Sequence, residues 1–146
     1  MQRGAAITGK ARASLLSGVP LFAGLPQGTL RTVAALAREV PHSAGHAIVS
    51  EGAVAHALHV VASGRATVSV RGHVVVRLGP GDFFGEMAVI DRGLRSATVT
   101  ADEPVITLAI EGASFRRLVE SDGRLALRLL LALTARVRGF DQGLGN

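Results

Sequence analysis

The chain has 146 residues, 48% hydrophobic and 18% charged, with a formal charge of +5 and no cysteine. That size suits one ordinary domain on the globular side of the disorder boundary, and too little chain remains for a second core. The missing cysteines exclude a disulfide framework, thiolate metal sites and a cysteine nucleophile, and they fit a reducing, cytoplasmic setting.

Residues 1–18 are small, polar and weakly patterned, and they read as a tail or loose helix. The apolar patch at Leu15 and Leu16 is too short for a secretory leader, and no run is long enough to span a bilayer. The domain proper is predicted over 19–141. It opens on the apolar turn from Pro20 to Pro26, followed by a helical stretch with Leu30, Val33, Leu36 and Val40 near one face. Pro41 is expected to end that helix.

From Gly45 to Glu111 the texture changes to short β-branched runs separated by glycine. These are Ile48-Val49, Val60-Val61, Thr67 to Val70, Val74 to Val76, Ala97 to Thr100 and Val105 to Leu108. Many short strands with close turn signals predict an antiparallel sandwich or barrel. Arg71-Gly72, between two of the runs, suits a tight hairpin turn. Helical spacing then returns over Ser114 to Glu120 and from Leu125 to about Phe140, the second stretch apolar enough to need a large partner surface. The order of helices, β-roll and helices places the chain in the α+β class, with residues 142–146 as a tail.

The segment from Gly79 to Val99 carries the chemistry. Gly85 lets the backbone bend and approach a ligand. A helical turn beginning at Glu86 leaves the amides of Glu86 to Ala88 as donors for an anion. Arg95 can return across that turn with a permanent positive fork, and Ser96 adds a hydroxyl. A carboxylate at Glu86 repels a phosphate but accepts hydrogen bonds from a sugar hydroxyl, and phosphate plus sugar hydroxyl describes a nucleotide. From spacing alone a structural Glu86–Arg95 salt bridge explains the two charges equally well.

The run Phe84-Gly85-Glu86-Met87-Ala88, followed by Arg95-Ser96-Ala97-Thr98, resembles the phosphate-binding cassette of cyclic-nucleotide-binding domains. These occur in cAMP-dependent kinase regulatory subunits, the catabolite activator protein and cyclic-nucleotide-gated channels. Identity and spacing match at Phe84, Gly85, Glu86, Ala88, Arg95, Ala97 and Thr98, and the resemblance extends over about Val19 to Phe140. It implies a jelly-roll-like double-stranded β-helix with N-terminal helices and two C-terminal helices. It also implies a regulatory sensor that binds a cyclic nucleotide, cAMP in preference to cGMP. The sequence offers no metal cluster and no nucleophile–base pair for hydrolysing one, so neither catalysis nor a further cofactor is expected. In that reading Arg95 pairs with the cyclic phosphate, helped by the Ala88 backbone and Ser96. Glu86 holds the ribose 2′-hydroxyl, with Gly85 and Met87 lining that side. Val70 and Val76 wall the base, and the last helix is a lid from which Arg136 caps the purine; Arg138 and Phe140 are rival caps. Two departures stand out: Leu94 replaces the usual proline before the arginine, and Ala53-Val54-Ala55-His56 replaces the usual loop after Gly52, leaving its shape open.

The basic balance invites nucleic acid, but basic residues are interleaved with acids, and a chain without Trp or Tyr has little to stack bases on. The space after the lid helix is too short for a helix-turn-helix, so no DNA-binding domain is expected. A cupin-like metalloenzyme would use histidines on alternate strand residues, a pattern that His42, His46, His56, His59 and His73 lack; they read as surface or turn residues. A degenerate roll that binds no nucleotide and serves as an interaction surface is the other alternative. Expected partners are the cyclic nucleotide and a protein effector, or a second copy through the C-terminal helix.

Overall fold

Alternation along β-branched runs produces sheets here, and the helical segments at both ends cover one of them. The computed structural model describes the backbone of residues 6–145 and the side chains of residues 6–139 apart from residue 88. Helices α1 (Gly9–Ser17) and α2 (Gln27–Leu36) lead into strands β1 (Ala37–His42), β2 (Ala47–Val49), β3 (Ala57–Ser63), β4 (Ala66–Val70), β5 (His73–Leu78) and β6 (Phe83–Phe84). A short helix α3 (Glu86–Asp91), strands β7 (Thr98–Ala101) and β8 (Val105–Glu111), and helices α4 (Gly112–Ser121) and α5 (Gly123–Gly145) complete the chain.

The strands form two antiparallel four-stranded sheets, ordered β1-β8-β3-β6 and β2-β7-β4-β5. Side chains on a strand alternate between faces, and the two cores follow that rule. Leu58, Val60, Phe83, Leu108 and Ile110 join Leu16, Phe22, Leu30, Val33, Phe115, Leu125 and Leu129 in a core between the first sheet and the helices. Val61, Phe84 and Val105, of opposite parity, meet Ala66, Leu78, Val99 and Ala101 of the second sheet in another core. Strand β3 is thus covered on both faces, which is why it is buried from Ala57 to Val61. The predicted α+β roll with flanking helices is the fold observed.

Three local expectations need correction. The helix predicted to run to Pro41 stops at Leu36. Ala37 is already extended, and Val40 and Pro41 lie in β1, paired with Thr107 and Ile106 of β8. No glycine or proline separates Leu36 from Ala37, so local pattern cannot mark the boundary, and pairing with β8 decides it. Proline is tolerated because β1 is an outer strand, which can turn a donorless nitrogen to its open side. His59 is no turn residue either: it is buried on β3, stacked on Phe84 with ring centroids 5.1 Å apart. The last helix extends past Phe140, its backbone helical to Gly145.

The Arg71-Gly72 turn is as expected, with φ of 52° and 81° at its two residues joining Val70 to His73. That is the left-handed backbone which matches strand twist in a two-residue hairpin. In β5 the register slips between Val76, opposite Val68, and Val74, opposite Ser69, so Val75 is the extra residue of a bulge. Helix α1 is tied down by Arg12, which donates to the carbonyls of Ala37 and Ile7, and by the Ile7 amide, which donates to Glu39. Among the described residues no helix is long and apolar enough to cross a membrane.

Candidate functional site

Phe83 and Phe84 point to opposite cores, and this anchoring of β6 aims the chain into the bend that follows. Gly85 takes φ +91°, a left-handed conformation that disfavours a side chain, and α3 begins at the next residue. A Cβ at Gly85 would also collide with the Arg95 guanidinium and come within 3.3 Å of the Ala57 carbonyl. The glycine is therefore needed twice, for the turn and for the close approach of arginine. The amides at the start of α3 have no acceptor inside the helix, as expected for a first turn.

Arg95 is buried and donates to two backbone carbonyls, from Nη2 to Ala57 at 2.6 Å and from Nη1 to Gly85 at 3.2 Å. Its own backbone is clamped by the loop after Gly52. The Arg95 amide donates to the Ala53 carbonyl, the Gly52 amide donates to the Arg95 carbonyl, and Val54 bridges Leu94. That loop, whose shape the sequence left open, aims Arg95 where a proline was missing. Burial pulls the Arg95 guanidinium below its ordinary pKa, and the neighbouring Glu86 charge raises it again.

Glu86 is fully buried. The salt bridge weighed between Glu86 and Arg95 is not formed. Glu86 Oε1 is paired with Arg136 of α5, while Oε2 is buried without a hydrogen-bond partner. Arg136 further donates to the Phe83 carbonyl at 3.0 Å and lies over the Phe83 ring, 4.9 Å from its centroid. Burial holds the Glu86 carboxyl above the usual carboxylate range, and the positive charges of Arg136 and Arg95 pull it partway back. A buried carboxylate oxygen without a donor is a costly arrangement that a hydroxyl can satisfy.

The fold thus brings Gly85, Glu86, Arg95 and Arg136 together. Met87 and Ser96 are exposed beside them, and the side chains of Ala88 and Phe140 lie outside the described residues. Val70 and Val76 sit on the β4–β5 hairpin, half-buried and exposed respectively. Arg138 is exposed on α5. Sequence reasoning missed Phe83, whose carbonyl and ring hold Arg136, and Ala57, whose carbonyl holds Arg95; no spacing rule points to a backbone acceptor on a distant strand. It also missed Arg116, which donates from α4 to the Val89 carbonyl of α3 at 2.7 Å and joins the bend to the C-terminal helices.

Behind the site, His59 Nδ1 and His42 Nε2 lie 3.2 and 3.0 Å from the same Thr107 hydroxyl. Burial, with the Arg95 charge second, pushes the His59 pKa down to about 3. Among the described residues no group of three or more His, Asp or Glu is arranged to hold a metal ion.

Residues 39–122 match the Cyclic nucleotide-binding domain family. The chain is 37% identical over 112 residues to a cyclic nucleotide-gated potassium channel of Rhizobium etli, covering 77% of this chain and 31% of the channel. It is 32% identical over 107 residues to the cAMP-dependent protein kinase regulatory subunit of Schizosaccharomyces pombe, covering 73% of this chain and 26% of that protein. The fold superposes on the Thermus thermophilus catabolite activator protein with a TM-score of 0.78 and 30% identity, covering 86% of this chain and 62% of that one. The chain spans about a third or less of the length of these two curated relatives.

Proposed function

The chain belongs to the cyclic nucleotide-binding domain family, and on that premise we propose that it is a cytoplasmic sensor that binds cAMP in preference to cGMP and leaves it intact. The observation that carries this reading is the buried Glu86 carboxylate, whose Oε2 has no donor, set across Gly85 from the buried Arg95 fork. A ribose 2′-hydroxyl donating to Glu86 satisfies that oxygen. The cyclic phosphate meets the remaining N–H donors of Arg95, the first amides of α3 and Ser96. Gly85, Met87 and Ala88 line the sugar and phosphate, and Val70 and Val76 wall the base.

Arg136 links this site to α5. In this reading it leaves Glu86 and closes over the purine when the sugar takes the carboxylate, so the ligand exchanges one partner of α5 for another. A ligand shifts such an equilibrium only by its differential affinity for the two positions. The signal then leaves through α5, towards an effector protein or a second copy of the chain. The contact of Arg136 with Glu86 also suits a roll that binds no nucleotide and serves as an interaction surface.

Calorimetry with cAMP and with cGMP, followed by chromatography of the recovered ligand, tests the proposal. Binding of unaltered cAMP, tighter than cGMP, is expected. No heat with either nucleotide leaves the interaction surface as the function, and recovery of the linear monophosphate makes the protein an enzyme. Hydrogen exchange tests the lid: the amides from Leu129 to Gly139 should change protection on cAMP addition, and a change confined to 79–98 would make the domain a static binder.

A further inference from the structure

We propose that the outer face of α5 docks an amphipathic helix of another protein, one whose apolar stripe is bordered by acidic residues. This deepens the reading above, since it rests on α5 carrying the output. One face of α5 is spent on the roll: Leu125 and Leu129 are buried, Ala132 and Leu133 pack against the core, and Arg136 reaches Glu86. The opposite face carries a second apolar stripe. Leu127, Leu130, Leu131 and Val137 are each more than half exposed. With Thr134 they recur at the three- and four-residue steps that put side chains in line on a helix. Large apolar side chains grouped this way on a small domain mark a contact surface.

Charge selects the occupant. From Gly123 to Gly139 the sequence holds Arg124, Arg128, Arg136 and Arg138 and no acidic residue. Arg124, Arg128 and Arg138 are exposed, and among the described residues the only salt bridge is that of Arg136 with Glu86. A second copy packed along this stripe would add the same arginines and no carboxylate to pair with them, which acts against pairing. A helix with leucines on one side and glutamates beside them meets both the apolar stripe and the charge.

The full chain is titrated by fluorescence anisotropy against three labelled synthetic peptides of about three heptads each. One has a leucine stripe bordered by glutamate, one the same stripe bordered by lysine, and one the composition of the first with its leucines scattered. Binding of the first alone is expected. The double variant Leu130→Gln/Leu131→Gln should weaken it roughly tenfold or more. The variant Arg124→Glu/Arg128→Glu should reject the glutamate peptide and accept the lysine peptide. Equal binding of all three peptides, or of none, overturns the proposal. So does a dimer in sedimentation velocity that Leu130→Gln/Leu131→Gln dissociates while no peptide binds. Calorimetry with cAMP on the same proteins separates the two readings, because these substitutions lie outside the nucleotide site. Peptide binding without nucleotide binding sinks the sensor and leaves the docking face, and the reverse result does the opposite.

Discussion

Arg136 and Glu86, fifty residues apart in the chain, form an ion pair that joins the last helix to the bend after β6. Glu86 is fully buried, whereas the Arg136 side chain is 44% exposed. The pair is thus lopsided: the carboxylate depends on the arginine for its charge, and the arginine has water as an alternative. One end can let go without leaving its own charge stranded, and that end is on the helix.

The first prediction follows from this asymmetry. Arg136→Ala should lower stability at neutral pH by about 1–3 kcal/mol, less than for a fully buried pair because the arginine is partly solvated. The Glu86 pKa is already raised by burial, and losing Arg136 raises it further. As pH falls through that raised pKa the carboxyl becomes neutral, and the pair contributes nothing in either protein. The difference in melting temperature between wild type and variant should therefore shrink on acidification. A difference independent of pH would mean that Arg136 acts through Phe83 alone.

For Arg95 the expected losses are larger and of two kinds. Arg95→Ala should weaken cAMP binding by roughly 3–5 kcal/mol, about two to four decades in affinity. It should also lower the melting temperature without nucleotide, since the Ala57 and Gly85 carbonyls lose their donor. Arg95→Lys should restore only part, because a point charge cannot reproduce a planar fork. Arg136→Ala should affect affinity far less, since a lost guanidinium–purine contact of about 0.5–2 kcal/mol is offset by an ion pair that no longer has to break. Calorimetry on the three variants ranks them; an unchanged cAMP-induced melting shift in Arg95→Ala would refute the phosphate role.

Gly85→Ala tests the bend itself. An alanine at φ +91° is strained by roughly 1–2 kcal/mol, and its methyl group would displace the Arg95 guanidinium. The variant should melt lower and lose most of its cAMP-induced shift. Gly81→Ala is the control, equally left-handed at φ +92° but with open space around the added Cβ. It should melt lower and keep the shift.

His59 gives the protein an acid limit. Its folded pKa of about 3 lies below the ordinary 6.5, so the unfolded chain binds the extra proton throughout that interval. Stability contributed by the neutral ring is complete above about pH 6.5 and lost as pH falls towards 3, at up to about 1.4 kcal/mol per pH unit. Denaturant melts of His59→Gln should show a shallower decline than wild type over this window, and parallel curves would place the acid sensitivity elsewhere.

How much of this was legible beforehand depended on whether the signal was local. The β-branched runs, the Arg71-Gly72 turn and the Gly85-Glu86 bend each carry their cause within a few residues. The Glu86 and Arg95 positions were equally readable, but their partners were not. Arg95 bonds to Ala57, thirty-eight residues away, through a carbonyl that any residue would offer. The course of β1 was illegible because Val40 continues the helical spacing of α2, and only β8, more than sixty residues on, makes it a strand. The burial of His59 is hidden from the local sequence for the same reason: its parity with Val61 buries it only once the second sheet is in place.

The proline in β1 has a further consequence, for what happens when many copies are crowded together. An outer strand presents a row of unpaired donors and acceptors on which a foreign strand can crystallise, and fibres grow from such rows. At one border of this molecule Pro41, next to last in β1, leaves the strand one donor short. At the border formed by β5, where Val74, Val75 and Val76 are exposed, the bulge at Val75 breaks the regular spacing a template needs. The two remaining borders, β6 and β2, are two and three residues long, too short to seed anything. All four borders are blunted, so among the described residues of a chain nearly half apolar no strand offers a start for an endless sheet.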